Sequence, residues 1–339
     1  MKTKRINLGM IGAGRIGRVH AESLTRRLAE AHLLTVADVN LAAAESCAQD
    51  FGIPQATNDY QTVLNDPAIE AVLICSSTTT HAPLIIAAAE AGKHIFCEKP
   101  IALDLTTIDQ ALAVVARAGV KLQIGFNRRF DSNFRHLRET VVSGGIGAPH
   151  LVRITSRDPA PPPLDYLKHS GGIFLDMTIH DFDLARFLID AEIDEVYATG
   201  NVLIDPAIGV VGDLDTAVVT LHYTNGALGV IDNSRQAVYG YDQRAEVFGS
   251  AGSIEAANKT PYNTLHSTVG GVQSARPLYF FLKRSLAAYV AEWRAFIPVI
   301  HHDQPPLVSG HDGRMATLLG LAAWRSVHQK RPVKLTEIG

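Results

Sequence analysis

The chain has 339 residues and a mass of 36.6 kDa, with 47% apolar residues, 19% charged residues and a net charge of −3. That length fits two domains, the composition excludes extensive disorder, and the charge offers no broad basic surface for nucleic acid. Mean hydropathy is +0.08 without a long unbroken apolar run, so no membrane span is expected.

The N-terminus carries Lys2 and Lys4 before apolar residues, as a signal peptide would, but Gly9, Gly12 and Gly14 break the run. It reads better as a first buried strand, 6–11. A helix is expected over 16–28, a strand over 33–38, a helix over 41–51, a strand over 68–75 and a helix over 83–91. A strand at 94–97, a helix at 106–118 and a strand at 121–125 complete this half. Near-continuous apolar strands between helices predict a doubly wound parallel sheet, buried on both faces. The three cysteines, Cys47, Cys75 and Cys97, show no metal or disulfide spacing. They read as small buried hydrophobes in a reducing cytoplasm.

The pattern changes after about residue 150. An alternating strand at 150–157 leads into a loop with Pro159, Pro161, Pro162 and Pro163. Gly171-Gly172 should open a helix over 173–188. Strands are expected at 195–203, 215–223, 227–233 and 243–249, with Asn225-Gly226 as a type I′ hairpin turn. This half should form a large, mostly antiparallel open sheet with helices on one face. The expected organisation is a dinucleotide domain, 1–125, and a substrate and oligomerisation domain, 126–339, whose C-terminal helix could pack back on the first.

Gly12-Ala13-Gly14-Arg15-Ile16-Gly17 is G-x-G-x-x-G, placed after an apolar strand and opening a helix. Gly12 serves the tight turn, Gly14 the approach of backbone to a pyrophosphate, and Gly17 close helix–strand packing. Asp38 ends the second strand, 21 residues beyond Gly17. A carboxylate there accepts from a ribose 2′-OH and repels a 2′-phosphate, which favours NAD over NADP. The alternative is a glycine turn with a surface Asp.

Four further segments carry a resemblance. They are Phe96-Cys97-Glu98-Lys99-Pro100, the upstream Thr80-His81-Ala82, the run Gly125-Phe126-Asn127-Arg128-Arg129-Phe130-Asp131, and Gly171-Gly172 through His180-Asp181. In their chain order they resemble the glucose–fructose oxidoreductase/inositol dehydrogenase/rhizopine-catabolism family (Gfo/Idh/MocA) over essentially the whole chain. Ser156 to Pro163 and Tyr239-Gly240-Tyr241-Asp242 are most similar to its inositol dehydrogenase subgroup. The resemblance implies oxidation of a secondary hydroxyl of myo- or scyllo-inositol to the keto-inositol, with pyranose sugars as further substrates and NAD as cofactor. It implies His180 as acid/base, Asp176 as its assistant and Lys99 as donor to the reacting oxygen. It places Arg15, Ile16, Ser76, Thr78, His81, Glu98 and Lys99 with the glycines and Asp38 at the cofactor. Asn127, Arg128, Asp158 and Tyr241 fall at the substrate, and the bond before Pro100 is cis.

The residues themselves allow the same chemistry. Asp176 and His180 are spaced i, i+4 on an expected helix and so share a face. A His near its unperturbed pKa suits a general base, and the Lys99 charge favours a developing alkoxide. The plain reading of Asp176 and His180 is a surface ion pair. Asp183 extends the pattern to D-x-x-x-H-x-x-D, which suggests metal ligands, but hydride transfer to nicotinamide needs none and no metal is expected. Arg128 could be a salt-bridge residue and Tyr241 a core ring, while Tyr166 and His169 could cap the site. Competing functions are an aldose or keto-sugar oxidoreductase, an NAD-dependent glycoside hydrolase, and a non-enzymatic dinucleotide sensor. The expected partners are a small polyol or sugar and further copies of the chain. An apolar outer sheet face, with Val218, Thr220 and His222 alternating with Ala217, Val219 and Leu221, points to a homotetramer.

Overall fold

The computed structural model describes residues 5–339, which form two compact units. One runs to Phe130 and includes Leu286–Thr317; the other comprises Asp131–Ser285 and Leu318–Gly339. Among the described residues no helix is long and apolar enough to cross a membrane.

The first unit alternates β1 (Ile6–Ile11), α1 (Arg15–Arg26), β2 (Ala31–Ala37), α2 (Leu41–Phe51), β3 (Gln55–Thr57) and α3 (Gln61–Asn65). It continues with β4 (Ala71–Ile74), α4 (Thr78–Glu90), β5 (His94–Cys97), α5 (Leu105–Ala118) and β6 (Leu122–Ile124). The six strands are all parallel, in the order β3-β2-β1-β4-β5-β6. This is the doubly wound sheet expected from the apolar runs. The strand order reverses between β1 and β4, and the crevice at their carboxyl ends is where such sheets bind ligands. Local signals set the helix limits. Asn40 accepts from Ala43 N–H at the start of α2, and Asp104 accepts from Thr107 N–H (2.8 Å) at the start of α5. Gly52 and Gly119 close the same helices in the left-handed conformation. The structure starts α4 five residues before the expected position and keeps Pro83 inside it. The Ser77-Thr78-Thr79-Thr80 run, which reads as loop, is the first turn, with Thr80 N–H donating to Ser77 O (2.8 Å). The short β3 and α3 are additions to the expected elements.

The core of this unit is completed from far along the chain. Val290, Trp293, Phe296, Ile297 and Val299 join Ile6, Leu8, Met10, Leu33 and Phe96 in one cluster. Trp293 stacks on Phe96 with ring centroids 4.6 Å apart. A second tie is polar. Arg129 Nη2 donates to Asp312 Oδ1 (2.9 Å), and Ser309 donates to Oδ2 through both its N–H and its hydroxyl (2.8 Å each). Burial opposes the Asp312 charge, but Arg129 and Ser309 outweigh it and lower the carboxyl pKa from 3.8 to about 2. A depressed carboxyl contributes stability that is present above its unfolded pKa and is lost as pH falls through the folded one. Asp312→Asn should therefore cost roughly 2 kcal/mol at pH 7. In urea unfolding the gap to the parent chain should close as pH falls from about 4 to 2; a gap that stays constant over that range would refute the linkage.

The second unit opens with α6 (Ser132–Val142), β7 (Pro149–Arg157), α7 (Leu164–Leu167), α8 (Gly172–Asp176), α9 (Ile179–Ile189) and β8 (Ile193–Asn201). After α10 (Pro206–Val210) come β9 (Thr216–Tyr223), β10 (Leu228–Ser234), β11 (Asp242–Gly249), β12 (Gly252–Ala256), β13 (Leu265–Thr268) and β14 (Gly271–Ser274). Helices α11 (Phe281–His301) and α12 (Gly310–Gln329) are each divided between the units, and β15 (Val333–Lys334) ends the second. Seven strands form one sheet in the order β12-β11-β7-β10-β9-β8-β15, antiparallel except for β7 beside β10. The mostly antiparallel sheet with helical cover was expected, including the alternation of β9. Ala217, Val219 and Leu221 are buried, whereas Val218 and His222 are exposed. The expected type I′ turn is corrected. Tyr223 N–H donates to Ala227 O (3.0 Å) and Gly226 N–H to Tyr223 O (2.9 Å), and of the three loop residues only Gly226 has positive φ. This is a three-residue loop, a type I turn closed by a left-handed glycine, which preserves the strand twist with one residue more.

Candidate active site

In the first unit, the G-x-G-x-x-G loop joins β1 to α1. Gly17 is forced by close approach, because a Cβ there would lie 2.1 Å from Gly12 O. Gly14 differs: a Cβ would meet nothing within 4 Å, since this residue faces the open cradle at the helix start. Arg15 is exposed and Ile16 half-buried in the first turn. Asp38 stands over the loop. Its Oδ2 accepts from Ala13 N–H (2.7 Å) and its Oδ1 from Asn40 N–H (2.9 Å). Each oxygen keeps a lone pair for a ribose hydroxyl. Across the sheet's switch point, Ser76 Oγ lies 2.6 Å from Thr80 Oγ1, and Thr78 begins α4. Open helix N-termini, a glycine cradle and a carboxylate at the second strand's end fit a dinucleotide with a free 2′-hydroxyl.

The Glu98-Lys99-Pro100 turn follows β5 and contains the cis Lys99–Pro100 bond. Two of the residues assigned to the cofactor are buried. His81 is buried, with Nδ1 2.7 Å from Pro100 O and Nε2 3.1 Å from Ser76 O. Burial lowers its pKa, so the neutral ring donates to one carbonyl, and Pro100 O is the nearer. Glu98 is 7% exposed and turns its carboxylate inward to His20 on α1, Oε1 to Nε2 at 2.8 Å. Lys99 itself is half-buried. Asn127 is buried and Arg128 half-buried in the short 3₁₀ turn Asn127–Phe130. Cys75 and Cys97 are fully buried, and desolvation pushes both thiols well above the usual range. They are inert packing groups at neutral pH.

In the second unit the site residues gather by strand register. Ser234 and Asp242 both pair with Arg157, so the ends of β7, β10 and β11 meet at one edge of the sheet. Asp158, Arg235 and Tyr241 directly adjoin those ends. The expected continuous helix 173–188 is corrected to α8 and α9, broken at Met177-Thr178. Thr178 N–H reaches five residues back to Ile173 O (2.9 Å), and His180 N–H reaches three back to Met177 O (3.3 Å). The ladder slips, so Asp176 and His180 do not stand in an α-helical i, i+4 relation. The cause is a buried polar pin. Thr178 Oγ1 lies 2.6 Å from Asn233 Oδ1, and Asn233 Nδ2 donates to Asp181 Oδ2 (2.9 Å), fixing the start of α9 to β10. His180 is half-buried in the first turn of α9, and Asp183 is fully buried one turn further on.

Asp176 is held from two sides. Tyr166 OH donates to Oδ1 (2.7 Å) and Arg235 Nη1 to Oδ2 (3.2 Å). Arg235 is fully buried, and its Nη2 donates to Asp213 Oδ2 (3.0 Å). Desolvation disfavours the guanidinium charge, but Asp176 and Asp213, with Asp158 further off, outweigh it and raise its pKa. Asp213 Oδ1 in turn accepts from Ile173 N–H (2.8 Å) in the first turn of α8. Gly172, at φ +75°, packs against Asp213 and Trp324, where a Cβ would lie 2.5 Å from the indole. That packing gives the Gly171-Gly172 pair its reason. Arg235, Asp213 and Asn233 were not singled out in the sequence. The discoverable signal was a strand-end arginine in a segment that must neutralise Asp176.

Comparison with known proteins adds to this geometry. Residues 6–126 match the oxidoreductase family with an NAD-binding Rossmann fold, and residues 134–255 match the GFO/IDH/MocA C-terminal domain. The chain is 52% identical over 333 residues to the myo-inositol 2-dehydrogenase of Thermotoga maritima, covering 98% of this chain and 99% of that one. It is 47% identical to the inositol 2-dehydrogenase of Rhizobium meliloti, covering 97% and 99%. Among solved structures it is similar to scyllo-inositol dehydrogenase from Lactobacillus casei with bound NAD(H) and scyllo-inositol. There the TM-score is 0.91 at 30% identity, covering 98% of this chain and all of that one.

Proposed function

Because the chain belongs to the Gfo/Idh/MocA family of NAD-binding oxidoreductases, we propose that it oxidises a secondary hydroxyl of inositol to the ketone, with NAD as hydride acceptor. The observation that carries this reading is the intact dinucleotide cradle of the first unit; the second unit holds a polar cluster around Asp176 and His180. Bound NAD takes the hydride from the carbinol carbon. Gly12, Gly14 and Gly17 admit its pyrophosphate at the start of α1 beside Arg15 and Ile16, and Asp38 accepts from its ribose. Ser76 and Thr78 line the switch-point side.

His180 is assigned the general-base role toward the hydroxyl proton, and the Lys99 ammonium the role of favouring a developing alkoxide. Asp176, fixed by Tyr166 and Arg235, accepts from a substrate hydroxyl and orients the ring. Asn127, Arg128, Asp158 and Tyr241 supply further polar contacts to the remaining hydroxyls. Dinucleotide binding is thereby assigned to the first unit, and substrate selection and assembly to the second. Three buried free thiols suit a reducing cytoplasm. The test is NAD⁺ reduction across inositol isomers and pyranoses, repeated with NADP⁺. A steady rise of NADH with an inositol supports the reading. Turnover only with glycosides, or a preference for NADP⁺, would overturn it.

Assembly is proposed through the outer sheet face. Leu228 on β10, Leu151 on β7 and Phe248 on β11 stand in register as one apolar row, with exposed Val218 and Tyr197 on β9 and β8. Such a row in water is most simply covered by the same face of another copy about a two-fold axis, and we favour a tetramer. Light scattering at micromolar protein should give a multiple of the 36.6 kDa chain mass. The mass of a single chain would refute the assembly.

A further inference from the structure

We propose that Trp293, His20 and Glu98 form a hydrogen-bonded strut that positions Lys99, and that Glu98 acts through this strut rather than as a cofactor ligand. The proposal rests on the reading that Lys99 attends the reacting oxygen. Trp293 Nε1–H donates to His20 Nδ1 (2.9 Å). An indole nitrogen is only a donor, so His20 Nδ1 must be the acceptor and the imidazole proton sits on Nε2. From there it is donated to Glu98 Oε1 (2.8 Å). The second carboxylate oxygen accepts from Lys99 N–H (3.3 Å). All three side chains are nearly or wholly buried. Donation runs from the indole through the imidazole to Glu98, whose carboxylate accepts from both sides, from His20 Nε2–H and from the Lys99 amide.

The surroundings leave the strut little slack. A Cβ on Gly125 would lie 2.9 Å from both Cδ and Oε1 of Glu98, so the carboxylate is pressed against the β6 end. His20 packs edge-on to Phe96, Tyr289 and Trp293. On the other side of the turn, His81 Nδ1 lies 2.7 Å from Pro100 O. The residue between these two clamps is Lys99. His20 belongs to α1, whose N-terminus forms the dinucleotide cradle, so the strut fixes the lysine relative to the cofactor-binding helix.

His20, Glu98 and Glu292 also lie close enough to hold a cation. The hydrogen bonds argue for a proton instead, because both ring nitrogens of His20 are committed, one to Trp293 and one to Glu98. Glu292 Oε1 is 3.9 Å from His20 Nε2. Burial and the Glu98 carboxylate push the Glu292 carboxyl well above its ordinary range. Glu98, not Glu292, is the carboxylate within hydrogen-bond distance of the ring.

The test uses the full chain with NAD⁺ and myo- or scyllo-inositol. Glu98→Gln, nearly isosteric, should lower kcat about 10–100-fold by displacing Lys99, while the NAD⁺ dissociation constant stays within about twofold. In a double-mutant cycle, Glu98→Gln should cost nothing further once Lys99→Ala is present. In ¹⁵N-histidine spectra, His20 should show a protonated Nε2 and an unprotonated Nδ1, and Trp293→Phe should release that tautomer. A weakened NAD⁺ affinity with normal kcat would make Glu98 a cofactor ligand and overturn the proposal. So would full additivity with Lys99→Ala, or a doubly protonated His20. Normal turnover by Lys99→Ala alone would instead remove the premise about the lysine, and the strut's catalytic role with it.

Discussion

His180→Ala is expected to lower kcat by about 10²–10⁴, the range for loss of a general acid/base, while NAD⁺ binding measured by fluorescence stays near that of the parent chain. The separation of effects follows from placement. His180 lies in the first turn of α9 in the second unit, whereas the glycine loop and Asp38 belong to the first. The side chain is only half-buried, so its removal leaves no large cavity and the variant should fold. The pH–rate profile supplies a second check. The limb of the profile that the parent enzyme owes to its general base should be missing from the variant. Normal turnover in His180→Ala would show the histidine to be structural.

Arg235→Ala should be the most damaging substitution for stability, costing about 3–5 kcal/mol. The guanidinium is the shared partner of Asp176 and Asp213, with the Arg235 side chain 1% exposed and the two carboxylates 12% and 3%. Removing it strands the buried Asp213 carboxylate and takes one partner from Asp176, and Asp213 also anchors the first turn of α8. Chemical denaturation should show a large fall in midpoint at neutral pH, partly recovered in Arg235→Ala/Asp213→Asn, which removes the stranded charge. A fall below about 1 kcal/mol would mean that solvent reaches the carboxylates and screens them.

Much of this molecule was legible in its residues because its signals are local. The parallel sheet follows from uninterrupted apolar strands such as Ala71–Ile74. The dinucleotide cradle follows from three glycines and an aspartate within 27 positions, Gly12 to Asp38. The helix over 41–51 is bounded by its own cap and glycine. What escaped depends on partners far apart in the chain. The break after Asp176 is caused by Asn233, 55 residues beyond Thr178. The partner of Asp176, Arg235, is 59 residues away, and Glu98 meets His20 across 78. No periodicity encodes such pairings. The Glu98 motif was visible, but whether its carboxylate faced a ligand or the interior depended on His20 and Gly125. The hairpin was recognised at Asn225-Gly226, but its turn type and loop length were wrong, because strand register decides where pairing stops.

The way the first core is closed bears on how the protein is made. Its sheet is complete in the nascent chain by Ile124, yet Trp293 and its neighbours, which pack on one side of that sheet, follow only after residue 285. At about 5–20 residues per second, the ribosome needs roughly 8–34 s to travel from one to the other. During that interval Phe96 lacks its stacking partner, and the emerging domain exposes an apolar flank while residues 131–285 of the second unit are being synthesised. Chaperone occupancy should therefore persist well past the first 130 codons, and a stalled chain ending near residue 285 should be far more protease-sensitive than the finished protein. The late helix thus couples completion of the first unit's core to prior synthesis of most of the second.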